Sequence, residues 1–216
     1  VLDDFLASLA EQCEVFLISG NHDSAERLAF GGRLMSAAGV HISPVYSGTV
    51  KTVERSDEFG PVQIHLLPFV KPAHVRQFFR EAEISDYTDA VRMALSGIDT
   101  ADGGRHVLVT HQLVTGALPC GSEELSIGGS ENVDVDVFAG FDYVALGHLH
   151  GPQRAGGDHI RYCGTPLKYS FSEIGHHKSV TFVTLEEKGN VRIETRELKP
   201  LRDMKQIRGT YQELMA

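Results

Sequence analysis

The sequence predicts an α/β fold, and three observations indicate it. Continuous apolar runs at residues 15–18, 107–109 and 143–146 are typical of strands covered on both faces. Segments with helical spacing of apolar residues lie between these runs. From residue 160 onward, apolar and polar residues alternate between Gly-containing turns, which indicates half-buried strands. Together these patterns predict two packed sheets with helices outside them.

Local signals predict the individual elements. A helix is expected over residues 1–12, where apolar residues recur at helical spacing, and another over 24–38. Asp23 or Ser24 would cap the second helix, and Gly39 would end it. Asp23 could instead orient His22, but the capping role is preferred. The segment 118–132, rich in Gly, Ser and Glu, is expected to form a mobile surface loop. The other predicted elements are strands at 62–69, 160–163, 179–186 and 191–198 and helices at 73–82, 87–95 and 210–216.

Composition limits the classes of protein that fit. Of the 216 residues, 42% are hydrophobic and 23% are charged, which is ordinary for a globular protein. No apolar run approaches the roughly 20 residues that cross a bilayer, and the acidic start does not resemble a secretory signal. Three scattered cysteines exclude a disulfide framework. A soluble protein of the reducing cytoplasm is therefore expected.

Charge and histidine content indicate metal chemistry. With 20 Lys+Arg and 29 Asp+Glu, the net charge is −9, which disfavours a plain DNA-binding module because such modules present a basic surface. A metal-dependent phosphoesterase is less affected, since bound cations can supply the positive charge. The chain also contains eleven histidines, an excess over ordinary usage.

Each apolar run leads into residues that can carry this chemistry. Ligand sites of α/β sheets assemble at the carboxyl ends of strands. If the three strands are parallel neighbours, Asn21, His111, His148 and His150 converge on one crevice. Imidazole and amide ligands suit Mn, Fe or Zn better than Mg or Ca. His22, beside Asn21, could protonate a leaving alkoxide as a general acid.

Simpler interpretations apply to each motif taken alone. A single histidine at a strand end is usually a hydrogen-bonded structural residue, and Gly-Asn-His-Asp could be a turn. The sequence contains neither Gly-x-Ser-x-Gly nor a P-loop, which disfavours a serine hydrolase or an NTPase. The remaining histidines lack a strand-end setting and are interpreted as surface or structural residues: His41, His65, His74, His106, His159, His176 and His177.

The order of the three motifs resembles that of the calcineurin-like metallophosphoesterases. Gly20-Asn21-His22-Asp23 comes first, Thr110-His111-Gln112 second and Gly147-His148-Leu149-His150 third. Residues 141–153 and 162–173 are similar to the bacterial DNA nuclease subunits of this family. The resemblance implies a four-layer αββα sandwich and a two-metal phosphodiesterase using Mn²⁺, or alternatively Mg²⁺. It also implies action on DNA ends and hairpins, an ATPase partner, and a homodimer within a heterotetramer.

The resemblance also implies roles for single residues. Asn21, His111, His148 and His150 match metal ligands, and His22 matches the catalytic histidine. The family carries an Asp-x-His and a Gly-Asp motif before these, and residues 1–20 contain neither.

We therefore expect residues 1–199 to be an N-terminally truncated nuclease domain and 200–216 to begin a cap domain. The 216-residue chain itself is expected to bind Mn²⁺ weakly and to show little activity. A non-catalytic scaffold that binds the ATPase and DNA, or another phosphoesterase of this superfamily, are the alternatives.

Overall fold

The computed structural model describes residues 2–121, 123 and 131–215. The helices are α1 (Leu2–Ala10), α2 (Ala25–Ala29), α3 (Gly32–Ala37), α4 (Pro72–Arg76), α5 (Tyr87–Leu95) and α6 (Tyr211–Met215). Two 3₁₀ turns span Val135–Phe138 and Phe171–Glu173. The strands are β1 (Val15–Ile18), β2 (Val40–Ser43), β3 (Lys51–Asp57), β4 (Gly60–Leu67), β5 (Arg105–His111), β6 (Leu113–Val114), β7 (Asn132–Val133), β8 (Tyr143–Gly147), β9 (Gln153–Ala155), β10 (Gly157–Tyr162), β11 (Ser179–Leu185) and β12 (Val191–Glu197).

A six-stranded mixed sheet, in the order β3-β4-β5-β8-β10-β9, forms the centre of the fold. The four inner strands β4, β5, β8 and β10 run parallel, and the two edge strands run antiparallel to their neighbours. Three further strand pairs lie outside this sheet: β1–β2, β6–β7 and β11–β12. The mixed sheet with its helices confirms the predicted α/β class, whereas the four-layer sandwich and the boundary at residue 199 stay predictions.

The main core lies on one face of the central sheet, against α5. Leu108 of β5 and Val144 of β8 are fully buried there together with Val91 of α5. Because side chains alternate along a strand, His106 shares this face with Leu108, and His111 points to the opposite face. Asp86 caps α5 by accepting a hydrogen bond from the backbone N–H of Asp89 at 2.9 Å.

The pair β1–β2 accompanies the central sheet. β1 contacts both β4 and β5, while α1 contacts β1 and α3 contacts β2. The backbone N–H of Phe69, just after β4, donates to the carbonyl of Ser19, just after β1, at 3.0 Å. The end of β1 is therefore fixed beside the carboxyl ends of the central strands.

Several sequence predictions need correction. The helix expected over 24–38 is two short helices, because Gly31 takes a left-handed conformation (φ 77°) between them. The helix expected over 73–82 ends at Arg76. The strands β2 and β3 were not predicted. The expected surface loop at 118–132 lies mostly outside the described residues. Across the described part of the chain, no helix has the length and apolar character needed to span a bilayer.

Candidate metal centre

The strand arrangement corrects one premise of the predicted site. β5 and β8 are parallel neighbours, with His111 in register with Gly147. β1 contacts β5 but forms no ladder with β5 or β8, because it pairs in parallel with β2 in a separate sheet. Asn21 nevertheless reaches His111, because the loop after β1 crosses to the end of β5.

Asn21, His111 and His148 lie together at the ends of these strands. The Nε2 atom of His111 lies 2.9 Å from Oδ1 of Asn21, so the imidazole N–H donates to the amide oxygen. The rings of His111 and His148 meet edge to face, with centroids 5.3 Å apart and an interplanar angle of 88°. The structure thus brings three of the four predicted ligands into direct contact.

Two glycines make room for the His111 ring. A Cβ atom on Gly20 would lie 2.7 Å from Cε1 of His111, and one on Gly147 would lie 2.7 Å from its Nδ1. Both distances are shorter than real Cβ contacts allow. The glycines of the first and third motifs therefore leave the space that the histidine of the second motif occupies.

Partial burial disfavours protonation of both imidazoles. Desolvation, with the charge of His148 as the next cause, lowers the pKa of His111 to about 4. Desolvation also lowers the pKa of His148, against the opposing effect of Glu131 and Glu123. Both rings are therefore neutral near pH 7, which is the form that ligates metals.

His148 carries two signs of a functional position. Its φ of 108° is the one positive value among non-glycine residues in the described part of the chain. Its Nε2 atom is buried and has no hydrogen-bond partner among the described residues. Buried polar atoms are normally paired, so this nitrogen is available to a ligand. An imidazole nitrogen of this kind, next to a second imidazole and an amide oxygen, fits Mn, Fe or Zn.

His150, the fourth predicted ligand, is held by a different set of residues. Its Nδ1 lies 2.9 Å from Oε1 of Glu173, and its backbone N–H donates to Oε1 of Glu123 at 2.7 Å. Its charge contributes to lowering the pKa of both His111 and His148, so it lies near them. Considering only the described residues, no three His, Cys, Asp or Glu side chains are arranged to hold a metal ion.

His22 and Asp23 flank the cluster. The charge of His22 contributes to lowering the pKa of His111 and His148, which places His22 within electrostatic range of both. The prediction that Asp23 caps the following helix is wrong. Ser24 occupies the N-cap position without a capping side-chain bond, and Asp23 accepts a hydrogen bond from the backbone N–H of Gly20 at 2.7 Å. Asp23 therefore closes the turn that carries Asn21.

Three charged residues around His150 were not predicted from the sequence. Glu173 and Lys178 are buried, with 0% and 4% of their surfaces exposed, and Glu123 binds the His150 backbone. Glu173 is the last residue of segment 162–173, which resembles the nuclease subunits. That resemblance is the sequence signal that could have identified Glu173. Nothing in the spacing of Lys178 or Glu123 indicated their positions.

The structure thus defines an α/β protein that carries a cluster of imidazole and amide side chains at the ends of its parallel strands. No family model matches the chain. The chain is similar to the SbcD subunit of the nuclease SbcCD from Staphylococcus epidermidis, with 32% identity over 204 residues. The match covers 93% of this chain and 54% of the relative, so the chain spans about half the length of this relative. This similarity over most of the chain confirms the resemblance that residues 141–153 and 162–173 predicted.

Proposed function

We propose that the protein is a metal-dependent DNA phosphodiesterase of the SbcD type. The observation that carries this proposal is the meeting of Asn21, His111 and His148 at separate strand ends, with a buried ring nitrogen of His148 unpartnered among the described residues. The similarity to the SbcD subunit of a nuclease supports this activity in preference to that of other phosphoesterases.

Asn21, His111, His148 and His150 would hold the metal ions, for which Mn²⁺ is proposed and Mg²⁺ is the alternative. When bound, such ions supply Lewis acidity and an activated water for in-line displacement at phosphorus. The chain itself keeps the imidazoles neutral by burial and fixes His111 between Gly20 and Gly147. His22 is proposed as the general acid that protonates the leaving oxygen, because it lies within electrostatic range of the two imidazoles.

We further propose that the 216-residue chain alone has little activity. Its three clustered ligands are neutral, and residues 1–20 contain no Asp-x-His or Gly-Asp motif to add a bridging carboxylate. Hard divalent ions prefer carboxylate oxygens, so two such ions would be poorly neutralised by this set.

The test is Mn²⁺-dependent hydrolysis of bis(p-nitrophenyl) phosphate and of linear duplex DNA by the 216-residue chain. We expect weak turnover at most, with the residual activity lost in His148→Ala. His177→Ala is the matched control, because His177 is exposed and lies outside the cluster. Strong hydrolysis that depends on His148 would contradict the inactivity of the chain. Hydrolysis unaffected by His148→Ala would contradict the site.

A non-catalytic scaffold that binds an ATPase and DNA is the second candidate. It is favoured by one observation: the described residues include no group of three His, Cys, Asp or Glu that could hold a metal. The coding sequence before Val1 distinguishes the candidates. Asp-x-His and Gly-Asp motifs there would support the nuclease, and their absence from an intact gene would support the scaffold.

The proposed partners follow from the name of the relative and from the family resemblance. We propose an SbcC-type ATPase and DNA as partners, with a homodimer inside a heterotetramer, and a cytoplasmic location. Co-purification of the full-length protein with its ATPase, followed by mass measurement of the assembly, tests the partners and their stoichiometry.

A further inference from the structure

A buried ion pair, formed by Glu173 and Lys178, contacts His150. Lys178 donates to three oxygens: Oε2 of Glu173 at 2.6 Å, Oγ1 of Thr165 at 2.8 Å and the carbonyl of His150 at 2.9 Å. An ammonium group has three N–H donors, so this set satisfies all of them. Glu173 and Lys178 are almost fully buried. Burying two charges costs free energy, and a fully bonded pair at such a place suggests a positional role.

The pair determines which nitrogen of the His150 ring carries the hydrogen. A carboxylate paired with Lys178 can only accept, so Nδ1 of His150, 2.9 Å from Oε1 of Glu173, must carry the hydrogen. In the neutral ring this places the lone pair on Nε2. Carboxylates that orient metal-binding histidines act in this way, and they fix both the tautomer and the ring orientation.

The backbone of His150 is fixed by the same group of residues. Its carbonyl accepts from Lys178 and from the backbone N–H of Thr165 at 3.1 Å, and its N–H donates to Glu123. The ring and the carbonyl of His150 are thus held by one buried charge pair, although the residue lies three positions beyond the end of β8.

We propose that Glu173, held by Lys178, is the positioning residue that presents Nε2 of His150 to a metal ion. This inference rests on the proposed function for the metal, but the tautomer of His150 can be measured without any metal. It assigns to Glu173 and Lys178 a task that neither the motifs nor the similarity to SbcD assigns.

The test compares two double variants of the metal-free 216-residue chain, Glu173→Gln/Lys178→Met and Glu173→Leu/Lys178→Met. Both remove the charge pair, which limits the loss of stability, and only in the Gln variant does residue 173 keep an amide oxygen that can accept from His150. Circular dichroism checks that each variant is folded. Two-bond ¹H–¹⁵N NMR spectra at pH 8, above the ordinary histidine pKa of about 6.5, identify the nitrogen that carries the hydrogen.

We expect the Nδ1–H tautomer in the wild-type chain and in the Gln variant, and the Nε2–H tautomer in the Leu variant. An Nε2–H tautomer in the wild-type chain, or an unchanged tautomer in the Leu variant, would overturn the proposal.

Mn²⁺ titration then separates this inference from the proposed function. If both hold, the Leu variant binds Mn²⁺ roughly 10–100-fold more weakly than the Gln variant. If the tautomers change as expected but neither the wild-type chain nor the Gln variant binds Mn²⁺, the positioning role stands and the metal assignment fails.

Discussion

Two pairs of neighbouring histidines in this molecule have the same distance between ring centroids, but they differ in whether their ring nitrogens are hydrogen-bonded. The rings of His65 and His106 stack at 5.3 Å with an interplanar angle of 6°, and those of His111 and His148 also lie 5.3 Å apart, edge to face. We call the first the closed pair and the second the open pair. The closed pair is fully hydrogen-bonded, whereas the open pair leaves Nε2 of His148 without a partner among the described residues.

The closed pair forms one directed chain of hydrogen bonds. Asp102 accepts from Nε2 of His106 at 2.8 Å, and Nδ1 of His106 accepts from Nε2 of His65 at 3.1 Å. Nδ1 of His65 then accepts from the hydroxyl of Thr52 at 2.9 Å. With both rings neutral, every nitrogen of the pair is satisfied.

The open pair is arranged differently. Asn21, an amide, accepts a hydrogen bond from His111 at one end of it, and Gly20, Gly147 and the edge-to-face ring of Phe69 lie against His111. Proximity of histidine rings is therefore common to both pairs, although His65 and His106 are fully buried and His111 and His148 only partly so. Unsatisfied hydrogen-bonding capacity is what distinguishes the candidate ligand site from the structural pair.

The largest effect is expected on breaking the closed pair. His106→Leu leaves Nε2 of His65 buried without its acceptor and removes the donor to Asp102. We expect the free energy of unfolding to fall by about 2–4 kcal/mol, because unsatisfied buried groups are costly. Urea denaturation measures the change. A loss below about 0.5 kcal/mol, the range of ordinary surface substitutions, would show that the chain of hydrogen bonds contributes little.

Acidification should weaken the closed pair next. Burial, followed by the charge of His106, lowers the pKa of His65 to about 4, from an ordinary value of 6.5. The unfolded chain therefore takes up a proton as the pH falls below 6.5, while the folded protein does not until about pH 4. Stability is complete above pH 6.5 and is lost between 6.5 and 4, by roughly 3 kcal/mol at most for this one residue.

The pKa of His111 is also lowered to about 4, so the pH dependence of the wild-type chain includes both residues. A variant of His65 isolates the contribution of His65. We expect the pH dependence of the unfolding free energy between pH 7.5 and 4 to be smaller in His65→Gln than in the wild-type chain. Equal pH dependence in the two proteins would show that His65 is not held neutral by the fold.

The smallest effect on stability is expected in the open pair. His148→Leu removes no hydrogen bond of Nε2 within the described residues and keeps a side chain of similar size. The free energy of unfolding should change by no more than about 1 kcal/mol, in contrast to His106→Leu. A loss as large as that of His106→Leu would mean that His148 is structural, and the distinction between the pairs would fail.

The sequence predicted much of the fold because the buried parallel strands are continuous apolar runs. β5 and β8, together with α5, lie where those runs and the helical spacing placed them. The short helices near Gly31 and the strand β3 were not predicted, since a single left-handed glycine and a half-exposed edge strand leave little trace in composition.

The candidate site was predictable only in part, for a related reason. Asn21, His111 and His148 follow the strands directly, so their positions could be inferred from the order of the elements. The hydrogen bonds of His65 and His106 and the pair Glu173–Lys178 join residues distant in the chain or buried by tertiary packing. No local pattern specifies such contacts, although the interpretation of His65 and His106 as surface or structural residues agrees with their burial and hydrogen bonds.

The most direct measurement of the central claim is addition of substoichiometric Mn²⁺ to the ¹⁵N-labelled chain, followed by histidine side-chain NMR. Paramagnetic broadening reports distance to the ion even when binding is weak. We expect His111 and His148 to broaden first while His65 and His106 stay sharp. Uniform broadening of all four, or broadening of the closed pair before the open pair, would contradict the assignment of the open pair as the metal site.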